Sequence, residues 1–132
     1  MTSIDHDLVE RWLDDYIAAW KSYDRDSILA LFSDGVIYRY RPHGDEITGR
    51  DAVATSWLED EPDASGTYDA EYRVVAVEGD VAVCAGTSTY LSEPGGAVDK
   101  VYDNCFVIRF DDGGRCAEFT EWFMKRPPGP DA

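Results

Sequence analysis

The segment Cys116-Ala-Glu-Phe-Thr-Glu-Trp-Phe-Met124 places two acids in an otherwise apolar, strand-like run. Side chains alternate along an extended chain, so Glu118 and Glu121, three apart, face opposite sides. If one side covers a core, one of the two acids is aimed inward. The odd set Ala117, Phe119, Glu121 and Phe123 is the better pocket face, and it selects Glu121. Desolvation between two phenylalanines disfavours a charged carboxylate and predicts a raised pKa, the condition for useful proton transfer near neutral pH. The competing expectation is a rim carboxylate paired with an arginine.

Other polar groups are predicted to join Glu121. Residues 36–41, Val-Ile-Tyr-Arg-Tyr-Arg, alternate strictly. The arginines mark the wet side, so Val36, Tyr38 and Tyr40 look inward. In residues 98–110 the even set Tyr102, Asn104, Phe106, Ile108 and Phe110 is far more apolar than the odd set and is placed against the core. That buries Asn104 among aromatics, where its amide must find partners, either structural ones or a ligand.

These positions need elements to hold them. Val9, Trp12, Leu13, Tyr16, Ile17 and Trp20 form one apolar stripe at helical spacing. A second helix is expected from an Asp24 cap through Ile28, Leu29, Leu31 and Phe32, stopping near Gly35. Thr48-Gly-Arg-Asp51 reads as a capping box before a third helix carrying Ala52, Val53, Trp57 and Leu58. The acidic residues 59–63, with Pro62, read as a solvated loop. From residue 67 the period becomes two, and strands are predicted at about 67–77, 81–91, 98–110 and 115–125. The turn-type clusters Glu78-Gly-Asp80, Glu93-Pro-Gly-Gly96 and Asp111-Asp-Gly-Gly114 make short connections, which favour an antiparallel meander. The expectation is one α+β domain over residues 1–126: three helices against a curved, mainly antiparallel sheet, with a cavity at its open end and a bend at Gly86. Residues 127–132, rich in proline, are expected to form a flexible tail.

Composition narrows the function classes. The chain has 132 residues with 27 acids against 12 bases, a net charge of −15, and 44% apolar residues. Such a chain can bury a core, and it repels phosphate backbones and anionic leaflets, so no nucleic acid or membrane partner is expected. No apolar run approaches the roughly 18 to 20 residues of a membrane span. The N-terminus lacks the pattern of a signal peptide. Cys84, Cys105 and Cys116 are odd in number, widely spaced and free of Cys-x-x-Cys, which reads as small core hydrophobes in a reducing cytoplasm. No histidine and carboxylate spacing suggests a metal site, and no glycine-rich loop suggests phosphate or a cofactor. His43, in a Pro-Gly loop by the expected mouth, is read as exposed, with proton shuttling as the sharper alternative. His6 is expected to face solvent.

Taken together, Tyr16-Ile-Ala-Ala-Trp20, Asp26-Ser-Ile-Leu-Ala-Leu-Phe32, Thr48-Gly-Arg-Asp-Ala-Val53, Phe106–Arg115 and Glu118–Phe123 resemble, in order and spacing, the nuclear transport factor 2-like superfamily and its SnoaL-like branch. The resemblance covers nearly the whole chain. It implies a cone of curved sheet and three helices around a deep pocket, usually in a dimer, on a fold that hosts isomerases, cyclases, epoxide hydrolases, dehydratases and members without known chemistry. Tyr16 falls where ketosteroid isomerases place the tyrosine that binds the developing enolate. Tyr40 stands in place of their base, and Phe106 in place of their protonated aspartate. Against limonene-type epoxide hydrolases, Glu121 matches one essential carboxylate and Tyr38 a water-positioning tyrosine. Their arginine and second carboxylate have no counterpart in Gly86-Thr-Ser-Thr-Tyr90. SnoaL-type cyclases use a single inward acid with polar helpers, which this chain can supply.

The leading expectation is therefore a cofactor-independent acid–base enzyme of isomerase, cyclase or dehydratase type, acting on a hydrophobic, oxygenated small molecule. Glu121 would carry the proton with Tyr16 and Tyr40 beside it. Tyr38 and Asn104 would orient the substrate, and Trp20, Trp57, Phe106, Phe119 and Phe123 would form walls. A non-catalytic ligand binder is the alternative. The opposite sheet face (Cys105, Val107, Thr120, Trp122, Met124) is apolar enough to predict a homodimer, or else an interaction module.

Overall fold

The computed structural model describes residues 4–60 and 66–127. Helix α1 (His6–Ser22) opens on Asp5, whose carboxylate accepts the Leu8 amide, and closes at Tyr23 in the left-handed conformation. Its buried stripe is Val9, Trp12, Leu13, Tyr16 and Ala19, the predicted face. A short α2 (Arg25–Leu29) follows, capped by Asp24.

Strands β1 (Phe32–Arg39) and β2 (Ile47–Thr48) precede α3 (Arg50–Thr55), which widens into a π-helical turn at Ser56–Asp60. Strands β3 (Tyr68–Glu78), β4 (Val81–Leu91), β5 (Val98–Phe110) and β6 (Cys116–Lys125) complete the chain. The sheet order is β2-β1-β6-β5-β4-β3, and β1 runs parallel to β6 while every other pair is antiparallel. The architecture is α+β, with a six-stranded mixed sheet that does not close into a barrel.

The four late strands begin and end within a residue of expectation. Two early elements differ. Leu31 and Phe32 do not extend α2, because β1 starts at Phe32 and pairs it with Cys116. Tertiary pairing here overrides a helical pattern that local sequence supports. The capping box is not formed either. Thr48 pairs with Ile37 in β2, so the cap position falls to Gly49 at φ 96°, with no side-chain bond. The acidic stretch splits likewise, with Glu59 in the π turn and residues 61–63 outside the described residues. Of the expected tail, only Pro127 lies among the described residues.

The core lies between α1, α3 and the inner sheet face, where Phe32, Val36, Tyr38, Phe106, Ile108, Phe110 and Phe119 are fully buried. Trp12 anchors the helix, its indole N–H donating to the Leu31 carbonyl at 3.0 Å. Tyr23 ties the end of α1 to the π turn through a 2.9 Å bond to the Trp57 carbonyl. Gly86 serves close approach of β3: an added Cβ would run into the Glu71 carbonyl oxygen. The register shift in β3 falls beyond it, between Val74 and Ala76.

Candidate functional site

A cavity of about 530 Å³ opens at the wide end of the sheet. Seven of the eight tyrosines line it, namely Tyr16, Tyr38, Tyr40, Tyr68, Tyr72, Tyr90 and Tyr102. Asn104, Glu121 and Phe123 lie on the same wall, where strand alternation puts them, with Trp20 from the apolar stripe of α1. Trp57, Phe106 and Phe119 do not. They pack one layer deeper, at most 1% exposed, so their predicted place in the cavity wall is corrected to the core behind it. Tyr16 and Trp20 screen them: Tyr16 stacks on Phe119 at 5.7 Å, and Trp20 stacks on Trp57 at 4.2 Å.

Glu121 is half-buried. Its Oε2 accepts a 2.6 Å hydrogen bond from Asn104 Nδ2, and Asn104 Oδ1 accepts from Ser88 Oγ at 3.0 Å. Ser88 and Asn104 are themselves buried, so a continuous polar chain runs across β4, β5 and β6. Asn104 thus meets the structural demand of a buried amide while fixing the carboxylate. The N–H it donates stabilises the anion, which suits a base. Glu118 points to the other sheet face, where Arg39 at 2.7 Å and Arg109 at 3.5 Å hold it. The Arg39 guanidinium keeps the Glu118 carboxyl below its ordinary value. The two acids therefore divide as alternation requires, and the arginine partner belongs to Glu118.

The tyrosines are held neutral. Burial, followed by the charges of neighbouring groups including Glu121, pushes the phenols of Tyr16, Tyr38, Tyr68 and Tyr72 well above their ordinary range. Two pairs satisfy one another, Tyr40 with Ser56 Oγ at 2.9 Å and Tyr68 with Tyr72 at 3.1 Å. The π turn makes the first of these by bringing Ser56 under β1. The Tyr38 hydroxyl and the Trp57 indole N–H are buried and make no hydrogen bond of acceptable geometry, although Tyr16 and Trp57 lie close to the Tyr38 phenol. Tyr38 is thus an unspent donor on the wall of the hollow.

Sequence reasoning missed Tyr68, Tyr72, Ser88 and Tyr90 as wall residues. The signal was present, since each pair shares parity within its strand. Both strands alternate weakly, however, and nothing local marks their inner face. A shallower hollow of about 500 Å³ shares Asn104 and Phe123 but extends to Trp122 and Met124 of the outer face, and no acid of the inner polar chain lines it. His43 is exposed at the mouths of both. His6, exposed as expected, pairs with Glu10 at 3.2 Å. With Asp7 these two form a surface cluster of possible metal ligands, outside the cavity lining. The cysteines are free, and burial pushes the Cys84 thiol up to about 12, as suits apolar filler. No helix among the described residues is long and apolar enough to cross a membrane.

Residues 13–119 match the model of the SnoaL-like domain. The chain belongs to this family. SnoaL-like membership accords with the α+β architecture just described, and three solved structures share that fold. One is an NTF-2 like protein of unknown function from Burkholderia xenovorans, at TM-score 0.70 and 17% identity, with 94% of this chain and 88% of that one covered. Another is described as a ketosteroid isomerase candidate from Kribbella flavida, at TM-score 0.66 and 18% identity, covering 95% and 86%. The third is an LEH-like epoxide hydrolase from M. tuberculosis, at TM-score 0.63 and 20% identity, covering 86% and 80%. Comparison of this SnoaL-like chain with curated proteins finds no match. At these identities the likeness establishes fold alone.

Proposed function

We propose that this SnoaL-like protein binds a hydrophobic, oxygenated small molecule in the tyrosine-lined cavity and moves a proton with Glu121. One observation carries the reading: a half-buried carboxylate on the cavity wall, oriented by the 2.6 Å bond from Asn104. Its role is general base, returning the proton to the product. Tyr16 and Tyr38, kept protonated by burial, donate to a carbonyl or hydroxyl oxygen whose charge grows as the proton leaves. Isomerisation, cyclisation and dehydration beside a carbonyl all require this step. All of it uses the chain's own residues and needs no cofactor.

Native mass spectrometry of the purified protein identifies a co-purifying ligand. With that ligand or its precursor as substrate, Glu121→Gln is expected to lower turnover about 10²- to 10⁴-fold while leaving binding and thermal unfolding nearly unchanged. Unchanged turnover would overturn the assignment.

The non-catalytic reading draws on the self-paired hydroxyls of Tyr40 with Ser56 and Tyr68 with Tyr72, which leave less polar surface to act on a substrate. Titration of Glu121 by carboxyl NMR separates the two: a group titrating near 4 favours binding, one near 6 or above favours catalysis. The outer sheet face supports the further proposal of a homodimer, because Trp122 is 44% and Met124 74% exposed there. A mass in solution of one chain would favour an interaction module instead.

A further inference from the structure

We propose that the mouth of the cavity holds the anionic head of the ligand on Arg41 and Lys100, so that the ligand is an apolar carboxylic acid rather than a neutral molecule. This rests on the reading that the cavity binds a small molecule. It adds the class of that molecule and the direction in which it enters.

Acids outnumber bases 27 to 12, so a base has many partners to choose from. Lys21, Arg25, Arg39, Arg50, Arg109 and Arg126 each take one. Arg11, Arg41, Arg73, Lys100, Arg115 and Lys125 form no ion pair among the described residues, and of these six Arg41 and Lys100 line the hollow that contains Glu121. Their heads lie instead over the rings of the cavity rim. The Arg41 guanidinium sits 5.8 Å from the centre of Phe123, and the Lys100 ammonium lies 5.3 Å from Tyr90 and 5.8 Å from Tyr102.

A cation resting on a ring face is positioned without spending its N–H donors on a carboxylate. Two such heads at the entrance are pre-placed for an incoming anion, and the ordering of their long side chains is partly met in advance. His43 adds a third basic group at the same rim. Asp45 and Asp99 oppose them there, both exposed and neither within ion-pair distance of Arg41 or Lys100. Glu121 lines the same hollow, and the net charge of −15 opposes an anion most strongly at low salt, so an advantage of an anionic over a neutral ligand there must come from the cations at the mouth.

The strand sets a length as well. Lys100, Tyr102 and Asn104 share the inner face of β5, and Asn104 holds Glu121. Four residues of strand separate the mouth cation from that carboxylate anchor, or about 13 Å. An acid held at the mouth therefore reaches the Glu121 level with an apolar body of about 10 Å, on the order of an eight-carbon chain.

Octanoate and octanamide, which differ in charge but hardly in shape, test the inference by calorimetry on the intact protein. Octanoate is expected to bind about five- to tenfold more tightly at low salt, as two partly exposed ion pairs would give. That advantage should shrink as salt rises. The double variant Arg41→Gln, Lys100→Gln should bring octanoate down to octanamide and leave octanamide unchanged. Equal affinities in the wild type, or an advantage that survives in the double variant, overturn the proposal while the cavity reading stands. Binding of neither probe overturns both. The wild-type comparison is decisive by itself should the double variant fail to fold.

Discussion

The inner face of the sheet is one surface with two unlike ends. At the narrow end Phe119, Ile108 and Ala82 stand side by side in register, fully buried beneath Trp12 and Tyr16. Two rungs further toward the wide end, Phe123, Asn104, Gly86 and Tyr72 stand in the same relation. Between them lies the rung of Glu121, Phe106 and Cys84, where polarity begins. The backbone pattern is the same throughout, and only the filling differs. At the wide end hydroxyls, an amide and an acid replace hydrocarbon, and Gly86 contributes no side chain at all. A layer that is polar and short of atoms stays hollow, whereas an apolar layer of complementary shapes closes. The difference teaches that the sheet's share of the cavity is made by composition on a continuous surface, with α1 and residues 41–45 completing the lining.

The contrast can be broken most forcefully with alkali. Tyr16, Tyr38 and Tyr68 are buried and resist ionisation, so their folded-state pKa values lie above the unfolded value near 10. Above that pH the unfolded chain has released these protons and the native one still binds them. Stability therefore falls as pH rises, by about 4 kcal/mol per pH unit for the three together. Tyrosinate absorbance should climb in two stages, the later one coinciding with loss of circular dichroism. A single stage completed before unfolding would mean that the wide end is wet.

Next in size is a pair of substitutions on one strand. Phe119→Ala should cost about 3 to 5 kcal/mol in urea unfolding. Phe123→Ala, at a residue 43% exposed and four positions along, should cost less than half as much. Equal costs would erase the distinction between the two ends. Gly86→Ala should destabilise by about 1 to 3 kcal/mol, since the new methyl meets the β3 backbone. A neutral result would mean that the strands separate there without penalty. The smallest effect is expected for Tyr38→Phe, which deletes a buried hydroxyl that makes no well-formed hydrogen bond among the described residues. Stability should stay within about 1 kcal/mol and can rise, while affinity for an oxygenated ligand falls. A large loss of stability would show that the hydroxyl is already satisfied within the fold.

Much of this was legible in the residues. The periods of α1 and of β3 to β6, and the turn clusters between the late strands, report their own conformation, because each pattern is set by neighbours along the chain. Parity alone divided Glu118 from Glu121 and brought Tyr38, Tyr40, Asn104 and Phe123 to one wall, and helical spacing added Tyr16. Parity is blind to depth, and so Phe106, Phe119 and Trp57 were expected one layer too far forward. It was also blind to the mouth, where Arg41 and Lys100, from segments nearly sixty residues apart, line one hollow.

Local sequence, then, determined α1, the extents of the four late strands, the inward faces of β1, β5 and β6 and the identity of the inward acid in β6, since these follow from backbone geometry between near neighbours. The tertiary structure decided where β1 begins, which aromatic rings are wall and which are core, and that Asn104 donates to Glu121. Those outcomes depend on register between strands and on the volume each layer must fill, and both are properties of the packed whole.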